Sequence, residues 1–160
     1  MRKKCLLVFK FPLFWNKYII NKLSKFYDTE YLYINNFKNK NFTEIIDKIN
    51  LFIESKNIEI VFFDVDFFKF INFFFIKKIK NVKKILLTGD DYALHEMNAI
   101  TANACDLVLS HCPLSVLKFK EKGHEAYMIN FEISNIKNNK NQKPICGSSS
   151  LFNFLTKRSA

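Results

Sequence analysis

Glycine is nearly absent from this chain: three in 160 residues, at positions 89, 123 and 147. With so few, neither a G-x-G-x-x-G turn nor a Walker loop can be written. A backbone cradle for phosphate is therefore excluded from the sequence motifs. Cysteine is also sparse, and Cys5, Cys105, Cys112 and Cys146 show no C-x-x-C spacing. Reduced, mostly buried thiols follow, with no metal and no cofactor expected, and a metal site built from Cys105, Cys112 and a histidine is the less favoured alternative.

Long apolar runs are missing as well. Even Ile58 to Ile76 is interrupted by Glu59, Asp64, Asp66, Lys69 and Asn72, so a bilayer-spanning helix is not expected. At the amino terminus Lys10 and Pro12 break the apolar run and no small-residue cleavage site follows. This is not a signal peptide pattern, and a cytoplasmic protein is the expectation.

What is present is a composition suited to one globular domain, 49% apolar and 25% charged, with 19 Phe. The net charge of +10 is unevenly spread: +6 over residues 1–57, −1 over 58–135 and +5 over 136–160. The aromatic residues fall at periodic core positions rather than interleaving with lysine. A solvated basic face is thus preferred to a nucleic-acid groove, and no nucleic-acid partner is expected. An anionic membrane surface would use the same charge.

Strand and helix signals alternate along the chain. Cys5 to Phe9, Glu30 to Ile34, Ile58 to Phe63, Lys84 to Thr88, Asp106 to Ser110 and Glu125 to Ile129 read as strands. Continuous apolar runs of this kind are typical of strands buried on both faces. Between them lie helical patterns. Trp15, Tyr18, Ile19, Leu23 and Phe26 form one stripe, and Asn41 with Glu44 resembles a capping box ahead of Ile45, Ile46, Ile49 and Ile53. Phe67 to Lys80, residues 96–104 and Pro113 to Lys122 complete the set, the last closed by Gly123. The alternation predicts an α/β, Rossmann-like domain over residues 1–135, with a six-stranded, mostly parallel sheet and helices on both faces. Residues 136–160 read as a linker or the start of a second domain.

The polar clusters sit where a parallel sheet carries its chemistry, beyond the carboxyl ends of strands. Asp90, Asp91, His95 and Glu96 follow the fourth strand, His111 the fifth, and Asp64 and Asp66 the third. A carboxylate beside another carboxylate has its pKa raised, which suits a general base for a hydroxyl. The competing role for Asp90 or Asp91 is a helix cap, with Glu96 favourable to the same helix dipole. Asp64 and Asp66 read as a loop cap as readily as a site. His95 divides between an exposed first-turn position and the cleft.

Leu87-Thr88-Gly89-Asp90-Asp91, Cys105 to Ser110 and Ser115 to Gly123 resemble the amino-terminal half of GT-B glycosyltransferases, in particular the spore-maturation glycosyltransferase-like group. The resemblance implies the acceptor-side half of a two-domain enzyme. It also implies a sugar acceptor at Asp90, Asp91 and His111 as catalytic residues, with His95, Glu96, Asp64 and Asp66 binding it. Retaining and inverting outcomes stay open. Gly147 to Ser150 with Lys157 and Arg158 would then correspond to the opening of the second domain. A separate sugar-nucleotide-binding domain would have to act as partner, the chain being truncated or one half of a split enzyme and inactive alone.

The alternative is a non-enzymatic interaction module resembling a receiver domain. It departs from that pattern where Lys10-Phe11 follows the first strand and His111 the fifth. It would bind a protein partner, or a second copy of itself, through the Phe-rich helix, whose polar strip carries Phe73 and Ile76.

Overall fold

The computed structural model describes residues 2–10, 12–37, 40–64, 72–88 and 91–129. In chain order the elements are β1 (Lys4–Phe9), α1 (Phe14–Leu23), β2 (Asp28–Tyr33), a 3-10 turn (Ile34–Phe37), α2 (Phe42–Lys56), β3 (Ile60–Asp64), α3 (Asn72–Lys78), β4 (Lys83–Thr88), α4 (Asp91–Ala102), β5 (Leu107–Ser110), α5 (Pro113–Glu121) and β6 (Ala126–Met128). The fold is Rossmann-like α/β. The sheet is parallel throughout rather than mostly so, in the order β2-β1-β3-β4-β5-β6.

The burial along each strand follows from its place in the sheet. β1, β3, β4 and β5 are flanked on both sides, and their apolar runs are buried on both faces; β2 and β6, at the edges, are mostly half-buried. Right-handed crossovers then fix the layers. The chain moves one way from β1 to β2 and the other way from β2 onward. α1 accordingly lies on one face, packing Ile19 and Leu23 against Cys5, Leu7 and Phe62. On the other face α2 to α5 bury Ile45, Ile49, Phe75, Ile76, Ala99, Val116 and Phe119 against Leu6, Val8, Val61, Leu86 and Val108. Each fully buried Leu, Ile, Val or Phe contributes about 1.5–3 kcal/mol of transfer free energy, so this double core dominates the stabilising terms.

Local signals explain the helix bounds. Asn41 accepts a 2.9 Å hydrogen bond from the Glu44 N–H, opening α2, and Asn57 closes it in the left-handed conformation at φ 53°. Gly123, at φ 86°, turns the chain after α5 where a Cβ would be strained. At the amino edge of the sheet, the Asp106 carboxylate accepts from the Lys84 N–H at 2.7 Å while its own N–H donates to the Lys84 carbonyl at 2.9 Å.

Two sequence expectations about helices are corrected. The fourth helix begins at Asp91 and ends at Ala102, rather than spanning 96–104. In α3 the buried stripe is Asn72, Phe75 and Ile76, continued by Ile79 just past the helix, so Ile76 is core. Phe73 is half-buried with the Lys77 ammonium 5.4 Å from its ring centre, and the exposed aromatic is Phe74. Residues 67–71 of that expected helix lie outside the described residues, as does the segment 136–160.

Candidate functional site

Register brings the strand ends to one rim. Phe9 of β1 pairs with Tyr33, Asp64 of β3 with Leu87, and Thr88 of β4 with Ser110 of β5. Neighbouring strands lie about 4.8 Å apart. Asp64, Thr88 and Ser110 therefore occupy three consecutive strands along one edge.

The strand order also locates the crevice. The sheet reverses its direction of growth between β1 and β3, since the β2–β3 connection passes over β1. At the carboxyl edge β1 leads on to α1 on one face and β3 to α3 on the other. Ligands of open α/β sheets bind outside the carboxyl ends at such a reversal. Here the two strand ends carry Lys10, just past β1, and Asp64, the last residue of β3; both are half-buried. The 3-10 turn closes one side, with the Asn35 N–H donating to the Lys10 carbonyl at 3.1 Å and the Tyr33 ring stacked on Phe9 at 5.9 Å. The polar clusters singled out in the sequence follow the fourth and fifth strands, two positions further along the sheet. Strand order is a long-range property that no local pattern carries.

At the β4–β5 end of the rim, Thr88 and Ser110 are buried hydroxyl residues. The His111 N–H donates to the Thr88 carbonyl at 3.3 Å, and the Cys112 N–H donates to the Ser110 hydroxyl at 3.1 Å. That second bond satisfies a donor at the start of α5, where Cys112 offers no side-chain cap. The turn holds the exposed His111 at the carboxyl edge.

The other expected site residues divide. Asp91 is the first residue of α4, directly beyond the β4 end of the rim. Asp66 and Asp90 lie outside the described residues. His95 does not line the open edge: it is 7% exposed, packed with its ring 4.7 Å from that of Phe119 in α5. The helix beginning at 91 rather than 96 puts His95 in phase with Asn98, Ala99 and Ala102, all buried. Glu96 is likewise off the rim. It accepts from the Lys122 ammonium at 2.8 Å on the outer side of the helix layer, and that bond and charge hold its carboxyl below the usual range.

The Cys5 and Cys105 thiols sit apart from this edge, while Cys112 lies in the turn after β5. Burial pushes Cys5 up to about 11, opposed by its 3.5 Å contact with the Thr29 hydroxyl, and pushes Cys105 up to about 12. Neither is poised as a nucleophile at neutral pH. Among the described residues no group of three or more His, Cys, Asp or Glu is gathered as a metal site. No helix among them is long and apolar enough to cross a membrane. No protein-family model matches the chain, and no curated protein matches it.

Proposed function

We propose that this chain is the acceptor-side unit of a GT-B-type glycosyltransferase, binding a hydroxyl-bearing acceptor at the carboxyl edge of its sheet. The observation that carries the reading is the rim itself: Asp64 beside the β1–β3 reversal, with Thr88, Ser110 and the exposed His111 continuing along the same edge. The Asp64 carboxylate and the exposed His111 imidazole can pair with a sugar's hydroxyls, while the buried Thr88 and Ser110 hydroxyls lie behind that edge. The carboxyl edge also carries Asp91 at the start of α4.

In this reading a carboxylate or His111 takes the proton of the attacking acceptor hydroxyl. The acceptor oxygen forms its bond to the donor's anomeric carbon while the nucleoside diphosphate departs. The donor belongs to a separate sugar-nucleotide-binding domain, in keeping with a chain of three glycines that writes no phosphate loop. The isolated chain accordingly binds acceptor but transfers nothing.

Backbone amide NMR during titration with a panel of mono- and disaccharides, and in parallel with UDP and GDP, tests this. Shifts gathered at residues 10, 64, 88 and 110–112 with a saccharide, and none with a nucleotide, are expected. Silence with every saccharide, or shifts confined to the helix layer, overturns the acceptor reading. Turnover of a sugar nucleotide by the 160-residue protein alone overturns the dependence on a second domain.

A further inference from the structure

Of the seven large apolar side chains left exposed among the described residues, Leu13, Tyr31 and Leu51 stand singly elsewhere, and four gather on one layer. Phe74 is 62% exposed on α3, Ile100 60% on α4, and Leu114 and Leu117 are 55% and 58% exposed on α5. These three helices lie side by side over β3 to β6 and form one outer surface. Each carries its own apolar residue at the crest. Leaving such groups in water forfeits burial free energy, so a surface with one on every helix is one that is covered in use.

Charge identifies the cover. Lys77 and Lys78 flank Phe74 on α3, and Lys118 follows Leu117 on α5, all exposed. The exposed acids on the described parts of these helices are Glu96 and Glu121, and Glu96 is engaged by Lys122. The face is thus basic with separated apolar crests. Protein interfaces concentrate their apolar residues in a central patch and are depleted of lysine. A bilayer surface suits the arrangement found here: each crest inserts singly at the headgroup level while lysine stems lie along it with their ammonium groups among lipid phosphates. We propose that the outer face of α3, α4 and α5 docks on an anionic lipid bilayer. It lies on a different side of the molecule from the acceptor rim, and the proposal stands independently of the glycosyltransferase reading.

The window from 58 to 135 sums to −1, which concealed this face from the sequence. Of the acids in that window, Glu59, Asp64, Asp106 and Glu125 belong to strand ends and loops, while Asp91, Glu96 and Glu121 lie on α4 and α5, Glu96 paired with Lys122.

Co-sedimentation of the full chain with vesicles separates the outcomes. Phosphatidylcholine vesicles containing phosphatidylserine should bind it, pure phosphatidylcholine vesicles should not, and high salt should release it. Charge reversal at Lys77 and Lys78 should lower the partition about tenfold or more, because each lysine adds separately to attraction by an anionic surface. The same reversal at Lys17 and Lys25, which the fold puts with α1 on the opposite side, should leave most of it. Phe74→Ser with Leu117→Ser, checked by circular dichroism for an intact fold, should also abolish binding. Equal losses from the two charge reversals would show non-specific attraction by net charge and overturn the docking face. Absence of vesicle binding overturns it too, as does a concentration-dependent dimer dispersed by Phe74→Ser, which would assign the face to a second protein copy.

Discussion

Asp106 shows how a residue in a functional-looking motif can serve structure. It stands at the head of the Asp-apolar strand that the GT-B resemblance rests on. Yet its carboxylate binds the Lys84 N–H at the amino edge of the sheet, opposite the rim. Asp106→Ala should cost about 1 kcal/mol of stability, Asp106→Asn much less because its carbonyl still accepts, and neither should alter ligand binding. Urea unfolding of the two variants reads the difference. The buried thiols give a second prediction at this scale. Burial pushes the Cys5 thiol up to about 11 and the Cys105 thiol up to about 12 from an ordinary 9.0. Above pH 9 the unfolded chain releases protons that the folded chain retains, so stability present below pH 9 falls as pH rises toward 11–12. The slope is about 1.4 kcal/mol per pH unit per thiol. Cys5→Ala should flatten that alkaline loss in melts recorded across the range; an unchanged slope would mean that burial does not hold the Cys5 thiol protonated.

Among the elements, α2 was the most legible because its signals are local and mutually consistent: cap, apolar stripe and left-handed stop all lie within seventeen residues, 41–57. Asn41→Ala should cost about 1 kcal/mol, while Asn41→Ser should be nearly neutral. α3 and α4 were harder for one reason. In a helix rich in apolar residues on every side, several phases fit the sequence, and packing chooses among them. Asn72, Phe75 and Ile76 won in α3, which left Phe74 outside. In α4 a start five residues earlier than expected turned His95 inward. Phe74→Glu should therefore leave the thermal midpoint nearly unchanged, whereas Ile76→Glu should prevent folding, since it buries a charge in a core where Ile76 is fully enclosed. Similar melts for the two variants would contradict the assigned phase.

At the scale of the molecule, fold class followed from alternation alone, because six apolar runs separated by helical patterns admit few arrangements beyond a covered parallel sheet. The reversal of the sheet beside β1 did not. Consecutive strands do pair from β3 to β6, which brought Thr88 and Ser110 together as expected. The second-to-third connection instead crosses β1, and that one exception makes Lys10 and Asp64 neighbours at the crevice. The difference is measurable. If an acceptor lies at the reversal, Asp64→Asn and Lys10→Ala should each weaken saccharide binding by about 10-fold or more, the loss expected for a hydrogen bond to a charged group, with stability held within about 1 kcal/mol. His111→Ala and Asp91→Asn, further along the rim, should weaken it less. The opposite ranking by NMR titration would return the centre of the site to the ends of β4 and β5, and would make the crevice at β1 and β3 a consequence of topology without a ligand.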